Sequence, residues 1–173
     1  STEGQPVAVL DWGHRAVQFA VIVNGQPAFS RILKECSAGL LAAAVIKSLD
    51  LTSEECQQLL GGCGLPHPQP ELHPSTELQE LVADSAREPF NKLVAELDKT
   101  LSYLRTQREE LVPARIWLAG GGATVRHAAE RLGFETGINV TPWRLPRSGT
   151  AGDLQVQELL AQAAALSALA WTT

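Results

Sequence analysis

Short apolar blocks open the chain, and longer blocks with helical spacing follow them. Residues 7–12 are an apolar run broken only by Asp11, and residues 16–23 are rich in β-branched and aromatic side chains. Asn24-Gly25 then predicts a type I′ turn, which needs positive φ at both central residues. Residues 27–33 alternate Ala28, Ser30 and Ile32 against Phe29, Arg31 and Leu33, the period of a strand. The chain is therefore expected to begin as an antiparallel meander.

Helical periods take over from there. Residues 38–49 are apolar on most sides and predict a well-buried helix. Thr52 and Glu55 have capping-box spacing for a short helix that Gly61-Gly62 should end. Residues 64–74 hold Pro66, Pro68, Pro70 and Pro74 and predict a loop. Thr76 and Gln79 form a second capping pair, opening a helical stretch to about residue 111. Leu78, Leu81, Val82, Phe90, Leu93, Leu97, Leu101 and Leu104 keep its spacing, while Pro89 predicts a kink or two abutting helices. Beyond Pro113, residues 115–119 read as a buried strand, 120–122 as a tight loop, and 123–132 as a helix ended by Gly133. A strand over 137–142, a basic loop over 144–152 and a helix from Asp153 to Ala170 complete the pattern. This order mixes antiparallel and crossover connections, so the class is α/β with a mixed sheet.

Composition narrows the function. With 173 residues and 45% hydrophobic residues, the chain suits one compact domain or a domain with a small appendage. A formal charge of -5 offers no electrostatic basis for binding nucleic acid or anionic lipid. No apolar run approaches the roughly 18–20 residues of a membrane span, so no direct membrane insertion is expected. The Ser-Thr-Glu-Gly start carries no signal-peptide pattern and reads as the cut end of a longer protein. Three cysteines describe no disulfide framework and point to a reducing, cytoplasmic setting. Cys56, Cys63, His67 and His73 raise the question of zinc, but the two cysteines are too widely spaced for a usual structural site. No metal is expected. His127 is expected to be solvated beside Arg126 and Arg131.

Two segments could carry chemistry. Asp11-Trp12-Gly13 ends the first strand; its carboxylate could organise a metal's water shell, and its glycine lets backbone approach a ligand. An ordinary polar turn is the bland reading. Gly120, Gly121 and Gly122 end a buried strand before a predicted helix, where backbone can approach a ligand and a helix N-terminus offers N–H donors. A tight strand-to-helix turn is the alternative. The set Asp11, Gly13, Gly120, Gly121 and Gly122 is the candidate cofactor-binding group; no catalytic residue is assigned.

Together, strand–Asp-x-Gly–hairpin, helical insert and strand–Gly-Gly-Gly–helix resemble the C-terminal half of actin-like ATPases. More particularly they resemble the PilM family of type IV pilus assembly proteins. Asn24-Gly25 with Phe29 and Arg31, the stretch Leu49 to Glu55, and Leu101-Ser102-Tyr103-Leu104-Arg105-Thr106-Gln107 carry that likeness. It implies an actin-like, ribonuclease-H-like lobe: a mixed sheet of antiparallel meander plus parallel strands, flanked by helices. Residues 1–36 and 112–173 would form the core and 37–111 a mainly helical insert. It further implies a cytoplasmic scaffold that reaches the inner membrane through the cytoplasmic tail of a membrane-anchored partner, with ATP and Mg held in the full-length protein. His14-Arg15 departs from the small hydroxyl residues the family places there. The other lobe's phosphate motif is absent, so this chain alone is expected neither to hydrolyse ATP nor to hold it tightly. A degenerate interaction module without nucleotide is one alternative, and the C-terminal lobe of a sugar or acyl-phosphate kinase another. A nuclease built on Asp11 and Asp153 is opposed by glycines at 120–122, where it needs a further acid. Trp143, with Arg144 and Arg147, is a candidate interaction spot, against the simpler reading of a tryptophan packed under its own loop.

Overall fold

The computed structural model describes residues 4–143; the expected loop at 144–152 and helix at 153–170 lie outside them. Strands β1 (Val7–Trp12), β2 (Val17–Val23) and β3 (Gln26–Leu33) form the expected meander. Asn24 and Gly25 have φ of 51° and 73°, as a type I′ turn requires. Helices α1 (Ala38–Leu49), α2 (Ser53–Gly62) and α3 (Glu77–Gln107) follow, then β4 (Arg115–Ala119), α4 (Ala128–Thr136) and β5 (Asn139–Pro142). The sheet order is β3-β2-β1-β4-β5. β4 pairs in parallel with both β1 and β5, so the centre of the sheet joins antiparallel and parallel halves.

Strand alternation divides the apolar residues between two faces. Ala8, Leu10 and Trp12 of β1 point to one face, with Phe19, Val21, Ile116 and Leu118 from neighbouring strands. The same cluster takes in Leu41 and Val45 of α1, Leu60 of α2, Leu93, Leu97 and Leu101 of α3, and Leu132 of α4. The helices of 37–111 thus share one continuous core with the sheet. Val9 and Ile22 point to the other face, with Val7, Trp117, Ala119 and Trp143 packed around them. Trp143 belongs to that cluster, and its backbone N–H donates to the Leu118 carbonyl at 2.7 Å. Arg144 and Arg147 lie outside the described residues.

Three of the four expectations about the helices change. α1 buries only a stripe through Leu41 and Val45, while Leu40 is exposed, so it is half-buried. α2 ends at Gly62, as Gly61-Gly62 predicted, and the chain turns at Gly64, which takes the left-handed φ of 67°. α3 is one helix through Pro89, not two. Its buried positions Val82, Ala86, Phe90, Leu93, Leu97, Leu101 and Leu104 keep step across the proline, so packing outweighs the roughly 3 kcal/mol that an internal proline costs. Replacing Pro89 by alanine is accordingly expected to stabilise the fold by about 1–2 kcal/mol, part of the gain being offset by a more flexible unfolded chain. Urea unfolding at fixed pH measures it. The third change concerns residues 123–132. A 3-10 turn over Gly121–Thr124 and extended backbone at Val125 precede α4, which begins at Ala128 and ends at Gly137 rather than Gly133.

Partly exposed polar contacts tie β3 to α3. The Arg31 guanidinium donates to Thr100 Oγ1 and Glu96 Oε2, both at 3.1 Å. Lys99 donates to the other Glu96 oxygen at 2.7 Å, and this bond is the main cause holding the Glu96 carboxyl below its ordinary range. A depressed carboxyl stabilises the fold above its unfolded pKa, and that contribution disappears as pH falls through the folded value.

Candidate functional site

β1 and β4 run in parallel with Asp11 opposite Ala119, so the end of one motif lies beside the start of the other. A Cβ placed on Gly120 would come 2.4 Å from Asp11 Oδ1 and 2.7 Å from the Trp12 carbonyl oxygen. The structure therefore brings Asp11 and Gly120 together, with Gly13 one turn further along the hairpin. Asp11 is half-buried, whereas His14 and Arg15 are exposed.

Each glycine has its own reason. Gly120 combines φ of 78° with ψ of -173°, a region open essentially to glycine. Gly122 is buried face to face with Trp12: a Cβ there would lie 2.2 Å from the indole Cδ2 and Cε3. Gly121 is exposed and has nothing within 4 Å of its Cβ position. Two of the three glycines are thus required by the fit of the chain to itself, and Gly121 alone opens outward. Trp12 is the residue that sequence reasoning passed over. It is wholly buried, donates Nε1–H to the Cys36 carbonyl at 2.9 Å, and tilts against Phe90 at 6.2 Å between ring centres. The clue was available: a large side chain in one motif facing a run of glycines in the other.

The donors near this site are largely committed. Gly13 N–H bonds to the Ala16 carbonyl at 3.0 Å and closes the β1–β2 turn. At the start of α1, Ala38 N–H donates to the Gly13 carbonyl at 2.9 Å and Gly39 N–H to the His14 carbonyl at 3.0 Å. Ser37 Oγ takes the Leu40 N–H. The His14 ring lies on Gly39, where a Cβ would sit 2.9 Å from its Nδ1. The first amides of α1 are therefore satisfied by the Asp-x-Gly hairpin itself. The expected helix N-terminus after the glycines is also missing. Ala123 N–H returns to Gly120 and Val125 N–H to Gly122, and Arg126 N–H bonds to the Leu60 carbonyl at 3.0 Å. That last bond draws residues 125–127 towards α2 and out of helical geometry. An anion at this edge would meet the open backbone at Gly121 rather than a helix dipole.

Cysteine behaviour follows burial. Burial raises the Cys36 thiol to about 11, with a smaller push from Glu96, and burial also raises Cys56. Cys56 donates to the Ala42 carbonyl inside the helical layer, while Cys63 is half-exposed at the end of α2. Under native conditions near pH 8, a thiol-alkylating reagent is expected to modify Cys63 quickly and Cys36 and Cys56 only on unfolding. Mass spectrometry over time reads this directly.

This sheet order, with helices layered on it and a carboxylate beside a glycine turn, defines one lobe of the actin-like, ribonuclease-H-like fold. Within that class the chain is similar to PilM in the PilM–PilN type IV pilus biogenesis complex, at 22% identity and a TM-score of 0.63. It is also similar to MreB 5 of Spiroplasma citri bound to AMPPNP (14% identity, TM-score 0.62) and to the ethanolamine utilization protein EutJ of Carboxydothermus hydrogenoformans (16%, 0.53). These alignments cover 82%, 91% and 81% of this chain but only 36%, 52% and 44% of the respective neighbours, so the chain spans about half their length or less. No protein-family model and no curated protein matches the sequence. No helix among the described residues is long and apolar enough to cross a membrane.

Proposed function

We propose that this chain is one lobe of a cytoplasmic scaffold resembling PilM, which helps assemble a type IV pilus or type II secretion platform. In this reading it docks the cytoplasmic tail of a membrane-anchored partner and carries half of an actin-like nucleotide site. The observation that supports it is the likeness to PilM in its complex with PilN, together with the meeting of Asp11 and Gly120 at one sheet edge. Asp11 would order the water shell of a magnesium ion, and Gly121 would let backbone approach the nucleotide, while Gly13 serves the turn that holds Asp11. The partner lobe would supply the remaining phosphate contacts, so this chain alone is not an enzyme.

The degenerate-module reading also has an observation in its favour: Gly120 and Gly122 are filled by Trp12 and Asp11, and the α1 amides are already bonded. Thermal unfolding of the full-length protein with and without Mg-ATP separates the two. A bound nucleotide stabilises the native state by about 2.7 kcal/mol at a hundredfold excess over Kd. The scaffold with nucleotide predicts that gain, and predicts its loss in Asp11→Asn. No gain at millimolar nucleotide leaves an interaction module without nucleotide.

A further inference from the structure

The proline-rich loop over 64–74 and the turn before α4 border a cleft of about 370 Å³, lined by His67, His73, Thr76, Gln79, Arg126 and His127 among others. It shares no residue with the candidate group at Asp11, Gly13 and residues 120–122. We propose that this cleft binds a phosphoryl oxyanion, as free phosphate or on a small monoester, through the Arg126 guanidinium and the three imidazoles. Small-molecule sites occupy about 300–1,000 Å³, so there is room for more than the phosphoryl group itself.

Backbone geometry builds the cationic side of the cleft. Arg126 N–H bonds to the Leu60 carbonyl, and the Arg126 carbonyl accepts the Leu65 N–H, both at 3.0 Å. Gly64 folds against it so closely that a Cβ would meet the Arg126 carbonyl oxygen at 2.4 Å. Arg126 Nη1 also donates to the Gly62 carbonyl at 2.8 Å. Backbone and side chain are thus both braced against the end of α2, and the Gly62 bond uses only one of a guanidinium's five N–H donors. Among the described residues no carboxylate pairs with Arg126. His127 follows with φ of 64°, uncommon for a residue bearing a Cβ. Its Nδ1 lies 2.8 Å from the Leu65 carbonyl oxygen. A carbonyl only accepts, so Nδ1 carries the proton and Nε2 is left to take a second one.

The other imidazoles gather beside it. The His127 ring lies 5.4 Å from that of His67, which lies 4.3 Å from that of His73. His67 Nδ1 accepts the Gln69 N–H at 3.2 Å, so the neutral ring keeps Nε2–H as a donor. The Thr76 hydroxyl accepts the Gln79 N–H at 3.2 Å and keeps its own proton to donate. The Gln79 amide is spent on Thr76 N–H and the Cys63 carbonyl, both at 3.0 Å. None of the lining residues is acidic. The acids closest along the chain, Glu71, Glu77, Glu80 and Glu130, are exposed, and Glu80 accepts from Ser75. A chain of formal charge -5 thus concentrates cationic and proton-accepting groups in one place. Histidine changes charge between pH 5 and 8, and charging neighbouring rings is opposed by like charge unless an anion enters. Anion binding and proton uptake are therefore coupled. A phosphoryl group suits these donors, because it offers three strong acceptor oxygens and up to two charges, and the arginine fork matches it. Among the described residues no three donors stand where a metal ion needs them, so an anion and not a cation fits this cluster.

Calorimetric titration of the full chain with glycerol 3-phosphate, at fixed ionic strength, tests this. One saturable site is expected, tighter near pH 6.5 than near pH 8; the ester keeps most of its second charge there, its second pKa being about 6. Buffers of different ionisation enthalpy should reveal protons taken up on binding. Arg126→Gln and His73→Gln should each weaken binding by about 10–100-fold, the worth of one charge-assisted hydrogen bond. His73 is exposed, so its variant should keep the circular dichroism of the parent even if loss of the Gly62 bond unsettles the arginine variant. Inorganic phosphate is the second probe: weaker binding than the ester's identifies a monoester site, and equal binding a site for free phosphate. Absence of saturable binding, equal binding of acetate, an affinity that does not rise towards pH 6.5, or indifference to both variants overturns the proposal.

Discussion

Trp12→Ala is expected to lower the stability of the fold by about 3–5 kcal/mol, the range for losing a buried large aromatic. The indole is wholly buried between the sheet and α3 and reaches across to Gly122, so its loss opens a cavity that cannot collapse from one side. The Cys36 carbonyl, which accepts from Nε1, is also left without its donor. Orphaning a buried acceptor costs about 1–3 kcal/mol, which places the change at the upper end. Trp12→Phe separates the two effects: it keeps most of the packing and loses the hydrogen bond. A cycle with Gly122→Ala tests the contact itself. In the Trp12 background the added methyl group should destabilise strongly; with alanine at 12 most of that cost should vanish. Equal costs in both backgrounds, measured by urea unfolding, would contradict the packing account.

The second large effect is expected from Gly120→Ala, at about 3 kcal/mol or more. Two independent penalties meet there. A φ of 78° with ψ of -173° strains any residue bearing a Cβ, by about 1–3 kcal/mol. The added carbon would also press within 2.4 Å of Asp11 Oδ1 and 2.7 Å of the Trp12 carbonyl, and overpacking adds about 1–3 kcal/mol. Gly121→Ala is the control. It meets nothing within 4 Å and should leave stability nearly unchanged. A fall in the thermal midpoint for Gly121→Ala as large as for Gly120→Ala would show that the loop is constrained in some other way.

Much of this architecture could be read from residue pattern because it is set by local rules. The meander follows from β-branched runs around Asn24-Gly25, and both capping boxes form as spaced, Thr52 with Glu55 and Thr76 with Gln79. What escaped depends on partners far away in the chain. Residues 125–127 fall within the stretch expected to be helical, yet the backbone groups of Arg126 bond to Leu60 and Leu65, and that pairing outweighs the local preference. Pro89 reads as a break because its penalty is local, while the buried stripe that overrides it runs the length of α3. The candidate site was legible as two motifs and their meeting, but not as a packing arrangement. Nothing within Asp11-Trp12-Gly13 says that its tryptophan will fill the space beside Gly122. His127, expected to be solvated, is half-buried against Leu65 for the same reason.

The mixed sheet also dictates an order of assembly. β1 finds β2 across the short turn at Gly13–Ala16, so the meander can form while the rest of the chain is still open. Its other edge must wait for β4, which arrives only after roughly a hundred intervening residues, and closing so long a loop slows folding before any contact rewards it. α3 can relieve this delay. Once helical, its 31 residues become a rod of roughly 46 Å at about 1.5 Å per residue, replacing a long flexible span by a stiff one. The same helix that covers the sheet in the finished protein would thus act earlier as the strut that delivers β4 to its place.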